Sequence, residues 1–378
     1  MQKKLLVSFL ALLIVVFAAI KLGPVLMPEA NGANVSTKVD AKTTEQTKAE
    51  TKKVDGLPNI SILATGGTIA GTGSSSTETT GYKSGDLAID TLIKAVPETK
   101  EIANITGEQI VKVDSTDITN EILLKLGKRI NELLASKDVD GIVVTHGTDT
   151  LEETAYFLDL VVKSEKPVVL TAAMRPATAM SADGPFNLYN AVQLASDESS
   201  KGRGVLVTLN DRIMSPRNIT KTNTTAVDTF KSAENGNLGA IVGGNIYYYN
   251  EAERLHTTET VFDISKVDKL PQVDIIYGYQ NNPTYMYEAA VENGAKGIVV
   301  AAPGDGTLST VALEGAEATM KKGVKLVRSS RVGSGTVSPK EGFITSDSLN
   351  AQKARILLML ALTKTDDSAE IQKYYNQY

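Results

Sequence analysis

The chain has no cysteine and only two histidines, His146 and His256. The first absence excludes a cysteine nucleophile, disulfides, thiolate zinc sites and lipid attachment through an N-terminal cysteine. The second leaves a multi-histidine metal site short of ligands and allows one histidine at most to a Ser-His-Asp arrangement. An excess of positive charge is missing too. The formal net charge is −5 and the pI about 5.4, which argues against nucleic acid as the main partner. What is present suits a globular protein: 378 residues, 42% of them hydrophobic, make two domains or one large one with a real core.

Residues 1–30 have the pattern of a signal peptide or an N-terminal anchor. Lys3 and Lys4 precede the uncharged apolar run Leu5–Ile20, shorter than the roughly 20 residues of a full membrane span. Ala30-Asn31-Gly32 is a small-x-small cleavage candidate that lies far from that run. Either version places the rest of the chain outside the cytoplasm, secreted or tethered. Residues 31–57, rich in Thr, Lys, Glu and Ala, read as a disordered tether reaching about 30 Å at roughly 5–6 Å × √n.

From residue 58 the pattern alternates strand and helix. Strands are expected at 59–64, 108–113, 141–145, 167–171 and 204–209, with a further segment at 241–249. Helices are expected at 90–96, along the apolar positions from Ile118 to Leu134, after a Thr150-x-x-Glu153 capping box, and at 186–196. Residues 250–271 break the rhythm and read as an interdomain connection. A second unit over 272–378 repeats it, with strands at 273–277, 297–302 and 324–329 and helices near 284–293, 309–321 and 349–363. The expected fold class is α/β, with a larger N-terminal domain (58–249) on a mostly parallel sheet and a smaller C-terminal α/β domain.

The chemistry-bearing residues follow strand ends. The stretch 59–73 (NISILATGGTIAGTG) runs from a strand into Gly66-Gly67, and Thr68 stands behind the break. Alone, this is a tight turn capped by a threonine, and its glycine spacing does not make a dinucleotide fingerprint. Two more polar clusters, Ser115-Thr116-Asp117 and His146-Gly147-Thr148-Asp149-Thr150, also follow strands. In a parallel sheet such ends share one edge, so the three clusters point to a pocket. A threonine nucleophile needs a base or a charged neighbour. His146, Tyr82 and Lys221 are candidates; for His146 packing is the preferred role, and Lys221 taken alone is an ordinary surface lysine. A neutral lysine at pH 7 costs roughly 4–5 kcal/mol, so a lysine that stays charged and stabilises a deprotonated threonine is the alternative.

Thr65-Gly66-Gly67-Thr68-Ile69-Ala70 and Thr145-His146-Gly147-Thr148-Asp149-Thr150 resemble the two signature motifs of bacterial L-asparaginases. The stretches MRPATAMSADGPFNLYNAV from Met174 and TKTNTT from Thr220 resemble the secreted type II branch, and the resemblance covers about residues 57–378. It implies hydrolysis of L-asparagine to L-aspartate and ammonia, with Thr68 as nucleophile, a β-aspartyl acyl-enzyme and Tyr82 paired with Thr68. It also implies that Thr148, Lys221 and Asp149 form a second hydroxyl–lysine–carboxylate group. Ser115, Thr116 and Asp149 would hold the substrate's α-groups. Asn281 would come from a neighbouring subunit of a homotetramer. No cofactor and no metal are implied. Backbone N–H groups near Gly67 and Thr148 are the expected oxyanion donors, and the loop 71–85 carrying Tyr82 looks like a lid. Two departures stand out: Thr116 where many members have Gln or Glu, and a short loop 331–342 whose one acid is Glu341. A glutaminase-asparaginase of dual specificity is the nearest alternative. An extracellular amino-acid binding protein is the alternative of another class.

Overall fold

The structure, a computed structural model, describes residues 48–50 and 53–378. The signal or anchor segment and most of the tether lie outside the described residues. Among those described, a nine-stranded sheet, a four-stranded sheet and a two-stranded hairpin make up the β structure.

The large sheet has the order β1-β3-β2-β4-β5-β6-β7-β10-β11. Its strands are β1 (Lys48–Glu50), β2 (Asn59–Gly66), β3 (Asn104–Val113), β4 (Gly141–Thr145), β5 (Val168–Thr171), β6 (Val205–Leu209), β7 (Arg212–Met214), β10 (Gly239–Val242) and β11 (Asn245–Tyr248). The five strands from β3 to β6 are mutually parallel, whereas β1 on one flank and β7, β10 and β11 on the other pair antiparallel. The parallel strands are apolar on both sides, as in the fully buried β4 (GIVVT) and β6 (VLVTL), because helices cover both faces. On one face lie α1 (Ile89–Lys94) and α4 (Gly184–Ser196); on the other lie α2 (Asn120–Ala135) and α3 (Leu151–Val161).

The second sheet, β12 (Val273–Tyr277), β13 (Gly297–Ala302), β14 (Lys325–Ser330) and β15 (Ile344–Thr345), is parallel throughout. Helices α5 (Tyr285–Glu292) and α6 (Thr310–Lys321) pack on its outer face, and α7 (Ala351–Ala361) and α8 (Ser368–Gln377) on its inner one. Helix α7 is apolar almost all round (AQKARILLMLA), and Ile356 through Ala361 are fully buried. A helix of that composition must be enclosed. It lies between the second sheet and α3, so one apolar cluster runs from Leu63 and Val144 through α3 and α7 to Val299 and Val327.

Several expectations need correction. Three residues of the expected tether, Lys48–Glu50, form an edge strand on β3, and Asn104 ties residues 54–57 down by hydrogen bonds to Val54 and Leu57. Edge pairing uses backbone groups alone, so a polar composition does not forbid it. Strand β3 begins at Asn104, four residues before the expected start; Gly107 obscures a strand that two neighbours stabilise. The segment 241–249 holds the end of β10, all of β11 and the turn between them at Gly243-Gly244, whose φ values of 59° and 77° suit a primed turn. Thr150 makes no capping hydrogen bond; its hydroxyl donates to the Ser115 carbonyl at 2.7 Å. Helix α8 was not expected, although Ile371, Tyr374, Tyr375 and Tyr378 carry a helical period and are buried. The connection 250–271 buries Phe262, Ile264 and Leu270 in the shared core.

Candidate active site

Strand order places the site. The chain leaves β2 for β3 on one side and returns to β4 on the other. The crevice between the carboxyl ends of β2 and β4 is therefore the topological switch point, where open α/β sheets bind ligands.

Glycines let three strand ends meet there. Gly66 has φ of 113° and a side chain on it would overlap the Val113 carbonyl at the end of β3. Gly67 has φ of 77° and a side chain there would overlap the backbone of His146 and Gly147 after β4. Close approach without a Cβ is the reason glycine occupies both positions. The Gly67 N–H donates to the Val113 carbonyl at 2.9 Å, so of the amides near Gly67 this one is spent on the turn. Thr65 is structural: its hydroxyl donates to the Thr145 carbonyl at 3.0 Å.

Behind Gly67, the short 3-10 turn Thr68–Ala70 presents Thr68. Thr68 Oγ1 lies 2.6 Å from the Tyr82 hydroxyl. The loop that brings Tyr82 back is closed by the Thr72–Lys83 bridge. It is tied to the segment ahead of α4 by three further bonds, from the Gly73 N–H to Thr178 Oγ1, from the Ala177 N–H to the Gly71 carbonyl and from the Met180 N–H to the Ser76 carbonyl. Burial pushes the Tyr82 phenol above its ordinary value; the hydrogen bond it shares with Thr68 opposes this, and nearby Asp149, Asp114 and Asp183 add to it. Tyr82 is thus a phenol at neutral pH.

The second group stands at the end of β4. Lys221 Nζ donates to Thr148 Oγ1 at 2.9 Å and to Asp149 Oδ1 at 2.5 Å. Lys221 comes from the two-stranded hairpin of β8 (Thr220–Lys221) and β9 (Phe230–Lys231). Thr148 is 4% exposed, and Lys221 is largely buried while Asp149 is more than half exposed. Tyr82, Thr148, Asp149 and Lys221, with Asp114 and Thr225, line one open cleft of about 300 Å³.

The remaining expected residues are placed as follows. Ser115 is buried beneath Gly147, against which its side chain packs. Thr116 is exposed, and its hydroxyl donates to Asp114 at 3.0 Å. Burial raises the Asp114 carboxyl, but hydrogen bonds led by the Thr116 amide outweigh it and hold the group below its usual value. Asn281 is an exposed residue of the second half at φ of 62° and is not among the residues lining the cleft. Glu341 is exposed in the short loop 331–342, where Lys340 pairs with Asp305 at 2.6 Å. His146 is fully buried, with Nδ1 on the Gly147 carbonyl at 2.7 Å and Nε2 on Thr154 Oγ1 at 3.0 Å. Burial pushes it down to about 4, so it is a neutral packing residue. Sequence reasoning missed Asp114, whose only signal was its place one residue ahead of Ser115.

Two larger grooves lie elsewhere. One runs along residues 53–139, where Arg129 and Glu108 pair with each other at 2.8 Å; the other runs along residues 209–237. The first holds a hydroxyl pair of its own, Ser61 and Thr106 at 2.8 Å, but within strands β2 and β3 and not at their carboxyl ends. Among the described residues, no group of three or more His, Asp or Glu is placed to hold a metal ion.

A parallel α/β sheet with two supported hydroxyls at its switch point has the frame of an enzyme acting on a small polar substrate. Residues 59–254 match the family model for the asparaginase N-terminal domain, and residues 272–375 match that for the glutaminase/asparaginase C-terminal domain. "L-asparaginase 2" of Bacillus subtilis (strain 168) is 60% identical over 91% of this chain and 92% of that protein. "Probable L-asparaginase periplasmic" of Haemophilus influenzae is 54% identical over 85% of this chain and 93% of that protein. The crystal structure of a "Probable Cytoplasmic L-asparaginase" from Campylobacter jejuni superposes with a TM-score of 0.84 at 50% identity, covering 85% of this chain and all of that one. This chain belongs to the asparaginase family.

Proposed function

We propose that this chain is an amidohydrolase that converts L-asparagine to L-aspartate and ammonia, with Thr68 as nucleophile. The observation that carries the reading is the meeting of two hydroxyl networks at the switch point: Thr68 on Tyr82 at 2.6 Å, and Thr148 on Lys221 at 2.9 Å. Thr68 Oγ1 attacks the side-chain amide carbon, the C–N bond breaks and ammonia leaves with the transferred proton. Water then cleaves the β-aspartyl ester and regenerates the hydroxyl.

The electrostatics assign different duties to the two networks. A phenol raised above its ordinary value is a poor base, so Tyr82 orients Thr68 and passes a proton on. Thr148 accepts from Lys221, which leaves its own O–H free to donate toward the departing nitrogen or to orient the attacking water. Asp149 gives Oδ1 to Lys221, and its other oxygen faces the substrate's ammonium. Ser115 and Thr116 border the place for the α-carboxylate, and Asn281 reaches a neighbouring subunit's cleft in a homotetramer. Export is supported by Lys3-Lys4 and Leu5–Ile20 and by the name of the Haemophilus relative. The Campylobacter protein is named as cytoplasmic, and fractionation of the native cell decides between the two locations.

The test is ammonia release from L-asparagine and L-glutamine by wild type, Thr68→Ala, Thr148→Val and Tyr82→Phe. Loss of a nucleophile or a proton-transfer group is expected to lower kcat by about 10²–10⁴ with much smaller changes in KM. Full activity in Thr68→Ala would remove it as nucleophile. Comparable kcat/KM on both amides would favour the dual-specificity reading, which the joint description of the C-terminal family model accommodates. Binding of asparagine with no ammonia released would restore the binding-protein reading.

A further inference from the structure

One turn at the start of α7 bonds to both segments that carry the Thr148–Asp149–Lys221 group, although it belongs to the second half of the chain. Lys353, 3% exposed, aims its ammonium at the segment that runs into Lys221. It donates to the carbonyls of Ile219 at 2.6 Å, Arg217 at 2.7 Å and Pro216 at 3.4 Å. Ile219 lies two residues before Lys221 and is fully buried. The same segment answers in the other direction: the Arg217 guanidinium donates to Ser348 at 2.7 Å and pairs with Asp347 at 3.0 Å, just ahead of α7. The other arm is met by Asn350 and Gln352, each donating to Glu152 Oε1 at 3.4 Å. Glu152 is buried and stands three residues after Asp149 on α3.

We propose that Lys353 is a positioning residue for the hydrolytic reaction: from the second half of the chain it fixes the register between the strand that carries Lys221 and the loop that carries Thr148 and Asp149. The inference rests on the role given to Lys221 under the proposed function. An ammonium suits the task because it supplies three donors to carbonyls that converge from one direction, and a buried, fully hydrogen-bonded cation has few alternative places to go. Burial lowers the Lys353 ammonium to about 8, opposed by the facing Glu152 carboxylate and reinforced by Arg217. The clamp is thus charged at neutral pH and weakens in alkali. Displacement of a catalytic group by about 1 Å can cost up to about 100-fold in rate, and only two residues separate the clamped carbonyl from Lys221.

The experiment is a double-mutant cycle on the full chain, with kcat and KM for asparagine corrected for the folded fraction. Lys353→Met keeps the stem and removes the donors; it is expected to lower kcat by about 10- to 100-fold with KM little changed. In a Lys221→Met background the same change is expected to have almost no further effect, because the group it positions is already gone. Lys163→Met is the control. Lys163 is an exposed lysine whose ammonium also donates to two carbonyls, those of Thr257 and Thr260 at 2.9 and 2.8 Å, and its loss is expected to lower the melting temperature and leave kcat alone. Where Lys353→Met does not fold, Lys353→Gln, which keeps a donor on a shorter arm, runs the same cycle. Equal loss in both backgrounds, or wild-type kcat in Lys353→Met while Lys221→Met is slow, overturns the proposal alone. Wild-type kcat in Lys221→Met overturns the reading on which it rests as well.

Discussion

At the scale of single residues, burial decides what the titratable groups can do. In the sequence His146 is one candidate base, with packing the preferred role. Enclosure removes it from the role of base: its neutral ring bridges the Gly147 carbonyl and Thr154. The cost of charging it sets a stability signature. With a folded value near 4 against 6.5, the unfolded chain binds the extra proton, so this contribution is complete above pH 6.5 and is lost as pH falls through 4, about 3 kcal/mol in all. Asp159 has the opposite sign. Burial raises it to about 6 from 3.8, against the pull of His256 and the Val205 hydrogen bond, so its contribution is complete below pH 3.8 and is lost as pH rises through 6. The two nearly cancel between pH 4 and 6. Denaturant unfolding at pH 4, 5 and 6 is expected to show opposite slopes in the variants: relative to wild type, His146→Gln gains stability as pH falls and Asp159→Asn loses it. Parallel curves for both variants would contradict this account.

At the scale of elements, the site depends on turns more than on regular structure. The sequence marked Gly66-Gly67 as a place of close approach, and the structure identifies what approaches: Val113 on one side and Gly147 on the other. The hairpin that delivers Lys221 is braced by Thr229, which is 1% exposed. Its hydroxyl accepts from the Asn223 N–H at 2.8 Å and donates to the Asn223 carbonyl at 2.5 Å. Thr229→Val takes the hydroxyl partner from the amide and carbonyl of Asn223, an exposed residue, at a cost of about 1 kcal/mol. Amide exchange in residues 222–229 is expected to quicken and kcat to fall several-fold while the large sheet keeps its protection. Unchanged exchange in that segment would show that the hairpin is held by something else. The capping box failed at this scale because the Thr150 hydroxyl turns to another strand end, donating to the Ser115 carbonyl, while the Glu153 N–H that it would cap donates to the Thr150 backbone carbonyl at 3.2 Å.

At the scale of the whole molecule, Asn281 is the residue the single chain leaves unexplained. It sits exposed on the second half, near the exposed Tyr277, Tyr279 and Tyr285. Supply of Asn281 by a neighbouring subunit predicts complementation. Thr68→Ala and Asn281→Ala, each slow alone, are expected to regain activity when unfolded and refolded together, approaching about a quarter of wild type if dimers form at random. A mixture no faster than the sum of its parts would place each site within one chain.

The division between sequence and structure follows interaction range. Periodicity and turn chemistry are local, so the order of strands and helices, the larger and smaller halves, and Thr68, Thr148 and Asp149 at strand ends were all legible in the residues themselves. Tyr82 and Lys221 were candidates from the residues alone, but the pairing of Lys221 with Thr148 was legible only through family resemblance, since 73 residues separate those partners against 14 for Thr68 and Tyr82. The clamp from Lys353, 134 residues from Ile219, left no mark in the sequence beyond one of the two charges, Lys353 and Arg355, in an otherwise apolar helix. Which groups meet across such distances depends on how the sheets and α7 pack. Packing also fixes which of those groups lose their water, and that loss separates the buried, neutral His146 from the half-exposed Asp149.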